Sequence, residues 1–215
     1  MKIVILFAAS LFISMITVAQ SYPEPEFSKE VYYLKKDGGL SAIRLEKGVS
    51  KMENKTKLGG FGGSESAYVL EGGHSSVRFP GGSHLSFVIS NGQAEGSTST
   101  KQSDSIMMAN GIDPSLMQGL TKMNDPSGTT VLYKLEQSNG NRKVLLQKNP
   151  GMSPFGSKKQ KSSDKYSFSV KKIREGYWEL VIDKSLPKGE YAFTMSGMGQ
   201  VDMDGSTALF AFGIE

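Results

Sequence analysis

Two alternating stretches, Thr130–Gln137 and Asn141–Lys148, meet at Asn139-Gly140, and no other part of the chain constrains its fold so tightly. Asn-Gly supplies the two consecutive left-handed residues that a tight hairpin turn needs, and period-two alternation is the mark of a strand with one buried face. Pairing through that turn sets Glu136 against Lys143, Leu135 against Val144 and Tyr133 against Leu146. A chain that commits to one such hairpin needs further strands to cover its apolar face.

The rest of the sequence supplies them. Val31–Lys35 and Leu40–Glu46 flank Gly38-Gly39, and the alternation sets Leu34 against Ile43 and Tyr32 against Leu45. Further strands are expected over Ser66–Glu71, Ser75–Phe79, Leu85–Ser90, Tyr166–Ile173, Tyr177–Ile182, Glu190–Met195 and Thr207–Gly213. Pro80–His84 reads as the loop of a hairpin, with Phe79 against Leu85, Val77 against Phe87 and Ser75 against Ile89. Trp178 alternates with Leu180 and Ile182, which marks it as core. The expected fold class is all-β, an antiparallel sandwich of about eleven strands in one domain over 21–215. Irregular insertions are expected near 91–128 and 149–165. The first holds one candidate helix, Asp113-Pro114 to Gln118, with Asp as cap and Pro as the first helical residue.

Residues 1–20 read as a secretory signal peptide: Lys2, an apolar run from Ile3 to Val18, then small residues before Ser21-Tyr-Pro-Glu-Pro-Glu-Phe27. The run is about 16 residues, short of the roughly 20 that span a bilayer. The expected location is therefore periplasmic or secreted. The polar stretch that follows places Tyr22 outside the core. The chain has no cysteine, which removes thiol nucleophiles, thiolate metal sites and disulfides together.

Leu186-Pro-Lys-Gly-Glu-Tyr191 resembles the tyrosine corner of immunoglobulin-like Greek-key sandwiches, with the proline one place early at Pro187 and Lys188 in its usual position. The resemblance implies a buried Tyr191 ring whose hydroxyl bonds to nearby backbone. The closing segment, with Gly189-Glu-Tyr-Ala-Phe193 and Ala208-Leu-Phe-Ala-Phe-Gly213, resembles exported Gram-negative β-sandwich proteins that carry no assigned activity.

No catalytic, cofactor or metal constellation follows from the residues. His74 and His84 lie at opposite ends of the expected hairpin, too far apart to share a metal. No Gly-x-Ser-x-Gly elbow is present. Asp202-Met-Asp204 lacks the distal Glu of a calcium loop, because Gly213 stands there. Met195, Met198 and Met203 could ligate Cu(I), but Met195 continues the apolar face of Tyr191 and Phe193.

Charge is the most informative surface signal. Ten basic residues and one acid, Asp164, fall between Arg142 and Arg174. The candidate anion-binding residues are Lys158, Lys159, Lys161, Lys165, Lys171 and Lys172. The excess of positive charge suits an anionic envelope component or protein as partner, and sparse aromatics disfavour nucleic acid. The expected role is a non-enzymatic interaction or accessory module of the cell envelope, with a carbohydrate binder or envelope glycan hydrolase as the alternative.

Overall fold

The computed structural model describes residues 21–56, 63–91, 125–151, 159–195 and 205–215. The expected signal segment, the helix at 113–118, Lys158, Met198, Met203 and Asp202–Asp204 lie outside them.

The described chain is all-β, with fourteen strands rather than about eleven. They are β1 Val31–Lys35, β2 Ser41–Arg44, β3 Glu46–Thr56, β4 Gly63–Leu70, β5 Arg78–Phe79, β6 Ser86–Ser90, β7 Thr130–Lys134, β8 Glu136–Ser138, β9 Asn141–Pro150, β10 Lys165–Tyr166, β11 Phe168–Arg174, β12 Tyr177–Ile182, β13 Gly189–Met195 and β14 Ser206–Ile214. One helical turn, α1 Pro126–Thr129, precedes β7. It starts at Asp125, whose carboxylate accepts from the Ser127 amide at 2.9 Å. The Asp-Pro start signal is thus used at a pair the sequence reading passed over. No helix among the described residues is long and apolar enough to cross a membrane.

The strands form two sheets. One runs β11-β12-β6-β1-β2; the other runs β10-β7-β13-β14-β3-β4-β9-β8, with β5 added in parallel beside β14. All other strand pairs are antiparallel. Strands β7 and β8, near one end of the larger sheet and at the other, are consecutive in the chain with Leu135 alone between them. That sheet therefore curls into a half-barrel. Leu70, Leu135, Val144, Ala192, Leu209 and Ala211 fill its interior. Its other face packs on the five-stranded sheet through a second cluster, in which Phe87 meets Phe193 and Phe212 with ring centroids 5.0 Å apart. Trp178, Leu180 and Ile182 all belong to that core, as their alternation predicts.

Around Asn139 (φ 53°) and Gly140 (φ 76°) the expected turn forms, and Glu136 faces Lys143. Pairing to β9 stops there. Past Leu135 the strand switches partner, and Tyr133 faces Ala192 and Lys165 instead of Leu146.

The first hairpin is shifted by one residue: Tyr33 faces Ile43, Leu34 faces Ala42 and Tyr32 faces Arg44. Positive φ at both Gly38 (72°) and Gly39 (125°) supports a five-residue loop, Lys36–Leu40. The register is illegible from pattern because β1 is covered on both faces. Val31 joins the core between the sheets, while Tyr32 and Leu34 join a third cluster with Val88 and Tyr177. The expected hairpin across Pro80–His84 does not form. Phe79 pairs in parallel with Ile214, whereas Phe87 sits between β1 and β12, so the loop crosses between sheets.

The third cluster lies under Ser21–Glu30, which corrects the reading of Tyr22 as peripheral. The Tyr22 hydroxyl donates to the buried Glu179 at 3.0 Å, and its ring stands edge-on to Tyr177. The Tyr177 hydroxyl donates to the Pro23 carbonyl at 2.5 Å. At the other side of the molecule, Tyr191 is fully buried and its hydroxyl donates to the Pro187 carbonyl at 2.6 Å. That is the contact expected of a tyrosine corner.

Candidate functional site

The candidate anion-binding lysines do not converge. Lys161 lies beside β9, Lys165 is in β10 on the larger sheet, and Lys171 and Lys172 sit on β11 at the edge of the smaller one, while Lys159 is outside any strand. As neighbours in a strand, Lys171 and Lys172 point to opposite faces. Three of the five described lysines have partners: Lys161 on Glu136 at 2.7 Å, Lys172 on Glu175, and Lys165 over the Tyr133 ring. The rest of the basic run meets acids distant in sequence. Lys143 and Lys148 hold Glu65, Arg174 holds Glu24, and Arg142 holds Glu46. Six of the nine described basic residues in a run that is ten to one basic in sequence are held in ion pairs once folded. The segment reading as a loop over 149–165 also takes part in the sheet. Lys161 and Lys148 exchange backbone hydrogen bonds, and the Leu145 amide donates to the Ser163 hydroxyl at 2.9 Å.

Two arrangements carry chemistry. The first closes one end of the half-barrel. Glu190 and Arg142 are 2% and 1% exposed, too deep to remain charged without partners. Arg142 donates from Nε to the Gly72 carbonyl (2.9 Å), from Nη2 to Glu46 (2.5 Å) and the Glu71 carbonyl (3.0 Å), and from Nη1 to Glu46 (3.2 Å). The Glu190 carboxylate accepts from Arg78 (2.8 Å) and from the Ser75 amide (2.8 Å), and lies 3.8 Å from Arg142. Arg78 continues to Glu215 at 2.6 Å. Gly213 makes room for this: a Cβ there would lie 2.7 Å from the Arg78 guanidinium. Burial pushes the Glu46 carboxyl up, but the hydrogen bonds from Arg142 and the Ser76 amide outweigh it and hold Glu46 below the usual range.

His74 stands at the rim of this cluster, Nδ1 3.3 Å from Glu190, its side chain 72% exposed. A carboxylate behind an accessible imidazole is half of a nucleophile-activating set. The adjacent serine does not complete it, because the Ser75 hydroxyl donates to the Ala211 carbonyl and accepts from the Val77 amide. His84 lies in the loop between β5 and β6. Its separation from His74 was read from a hairpin that the fold does not contain. Among the described residues, no three His, Asp or Glu side chains are grouped to hold a metal ion.

The second arrangement is an open groove of about 320 Å³ on the face of β3, β4 and β9 turned away from the half-barrel interior. Glu53, Lys55, Glu65, Lys143 and Lys148 line it, with Asn and Ser side chains between them and Ala67 and Val69 on its floor. Comparison with family models, curated proteins and solved structures gives no match.

Sequence reasoning missed both arrangements. Glu190 alternates with core-facing Tyr191 and so reads as solvent-exposed; only the curl turns its face inward. The groove lysines were visible in the basic run, but Glu65 and β3 were not. Beyond Ser50, β3 is exposed throughout, so Lys51–Thr56 carries no apolar alternation to find.

Proposed function

We propose that this chain is an exported accessory module of the cell envelope that binds a partner on its sheet surface and catalyses no reaction. Its two sheets are read here as a Greek-key sandwich of immunoglobulin-like type, elaborated by the half-barrel. The core shared by both sheets and the Tyr191 contact to Pro187 support that reading. The signal-like residues 1–20 support export.

The make-up of the groove carries the functional reading. Its described lining is Lys, Glu, Asn, Ser, Gly, Ala, Val and Pro, without an aromatic ring on which a neutral sugar would stack. Its two carboxylates are each held by lysine: Glu53 by Lys55 at 2.8 Å and Glu65 by Lys143 at 2.5 Å. The lysines hold Glu65 below the usual carboxylate range, which suits recognition and opposes a general acid. The alternative, a glycan hydrolase, needs one carboxyl kept protonated near neutral pH.

Two measurements test the proposal. Fractionation with N-terminal sequencing should find the chain outside the cytoplasm, beginning near Ser21. A photo-crosslinker at Asn141 should trap an envelope component that a crosslinker at buried Val88 does not. Turnover of labelled envelope glycan by the purified chain, abolished by Glu65→Gln, would refute the non-enzymatic reading.

A further inference from the structure

The pairing of β3, β4, β9 and the 159–161 segment puts a row of charges straight across four adjoining chain segments. Lys55 faces Glu65, Glu65 faces Lys148, and Lys148 faces Lys161. Directly opposed residues share a face of a sheet, so all four side chains stand on the groove side. Lys143 joins them through an irregularity in β9. Between Ser66 and Ala67 the register shifts, leaving Leu146 unopposed. Five positions apart, Lys143 and Lys148 would point to opposite faces of a regular strand. The extra residue turns both to the same face, where both reach Glu65, at 2.5 and 3.2 Å.

We propose that this row is a binding site for a linear anionic glycan, one that carries carboxylate or phosphate groups at regular intervals. The proposal rests on the accessory-module reading and names its ligand class. Adjacent strands lie about 4.8 Å apart, so the row from Lys55 to Lys161 spans roughly 14 Å, longer than a single sugar ring. Hydroxyl-rich units between the anions are matched by Asn139, Asn141 and Ser138, which line the same groove. A bilayer surface is disfavoured, since membrane docking needs large apolar side chains to insert and the groove floor offers Ala67 and Val69. The internal carboxylates do not block the site. Lys148, Lys161 and Lys55 are half or more exposed, and ion pairs of that kind contribute little net stability. Glu65 acts as a place-holder for the ligand anion.

Titration of the full chain at low salt decides this, with oligogalacturonate, a phosphodiester-linked sugar oligomer and neutral dextran as probes. One or both anionic probes should bind, dextran should not, and affinity should fall as salt is added. The two anionic arms separate carboxylate from phosphate preference. Lys148→Gln with Lys161→Gln should weaken binding about tenfold. Lys171→Gln with Lys172→Gln, on the other sheet, should leave it unchanged. Glu65→Gln, which frees two ammonium groups, should tighten binding about threefold, a gain that a misfolded variant cannot produce. Unchanged or weaker binding by Glu65→Gln overturns the proposal. So does loss of binding in the Lys171/Lys172 pair alone, which moves anion binding to the β11 edge. If neither anionic probe binds while the Asn141 crosslinker traps an envelope protein, the glycan site is refuted and the accessory-module reading stands.

Discussion

Truncating Arg142 to alanine removes the guanidinium that the end of the half-barrel is built around. The side chain is 1% exposed and donates to one carboxylate and two backbone carbonyls, with a second carboxylate 3.8 Å away. Alanine leaves Glu46 without its main partner, Glu190 with Arg78 as its remaining close cation, and the carbonyls of Glu71 and Gly72 without this donor. Removing one member of a buried ion pair typically costs about 3–5 kcal/mol, because the surviving charge stays desolvated. A domain of this size has a total stability of about 5–15 kcal/mol, so the loss is a large share of it. With a urea slope of about 2–3 kcal/mol per molar, the unfolding midpoint should drop by roughly 1–2.5 M. The partner carboxylate gives an internal check. Glu46→Gln should cost less in the Arg142→Ala background than in the parent, since its charge is then unpaired in either case. The pH response follows from the lowered Glu46 carboxyl. A folded-state value below the unfolded one stabilises above the ordinary carboxylate range and is lost as pH falls through the folded value. Arg142→Ala should therefore flatten the acid limb of the stability profile. A midpoint shift below about 0.3 M, with the slope unchanged, would show that the end of the half-barrel is hydrated and that Arg142 anchors nothing.

Three further outcomes are expected. Tyr191→Phe should cost about 1 kcal/mol for the lost bond to the Pro187 carbonyl, and Tyr191→Ala about 3–5 kcal/mol for the buried ring; equal urea midpoints would place Tyr191 at the surface. Burial raises the phenols of Tyr177 and Tyr191 above their ordinary value of 10.0, so their contribution is intact below that pH and is lost as pH rises beyond it. Melting temperature should then fall steeply on the alkaline side, less so in Tyr191→Phe, and a flat profile to pH ~11.5 would contradict the burial. Gly48→Ala places a Cβ 2.2 Å from Leu70 Cδ2 and should cost about 1–3 kcal/mol in the same urea assay, with partial relief from Leu70→Ala; a neutral Gly48→Ala would mean that β3 and β4 are looser than drawn.

Where alternate positions of a strand are apolar throughout, the alternation was legible, even in β12, which is covered on both faces. Trp178, Leu180 and Ile182 went where their spacing put them, and Asn139-Gly140 fixed both the turn and the pairing of Glu136 with Lys143. Legibility failed where apolar residues fill consecutive positions of a strand, as in β1, and where they are nearly missing, as in the outer half of β3. β1 has apolar neighbours above and below, so its pattern was compatible with two registers. The outer half of β3 is exposed throughout and announced no strand at all. Glu179 and Glu190 are buried charges on faces that a simple two-layer reading assigns to water. One is covered by Tyr22 and Lys36, the other by the curl of the larger sheet and the loop bearing Ser75.

The candidate site failed to appear in the sequence for a different reason. A count of charges along the chain treats Lys143 and Lys148 as members of one basic run whose acids are few. Folding regroups charge by strand order: β4 lies beside β9 and β3 beside β4, and they carry Glu65, Glu53 and Lys55 into the run. A single unopposed residue in β9 then decides which lysines share a face. Were Leu146 paired in regular register with Ser66, Lys148 would fall opposite Ser64 and turn to the half-barrel interior, away from Glu65. The proposed recognition surface therefore depends on a local backbone irregularity as much as on the lysines, and no tally of residue types along the chain contains that information.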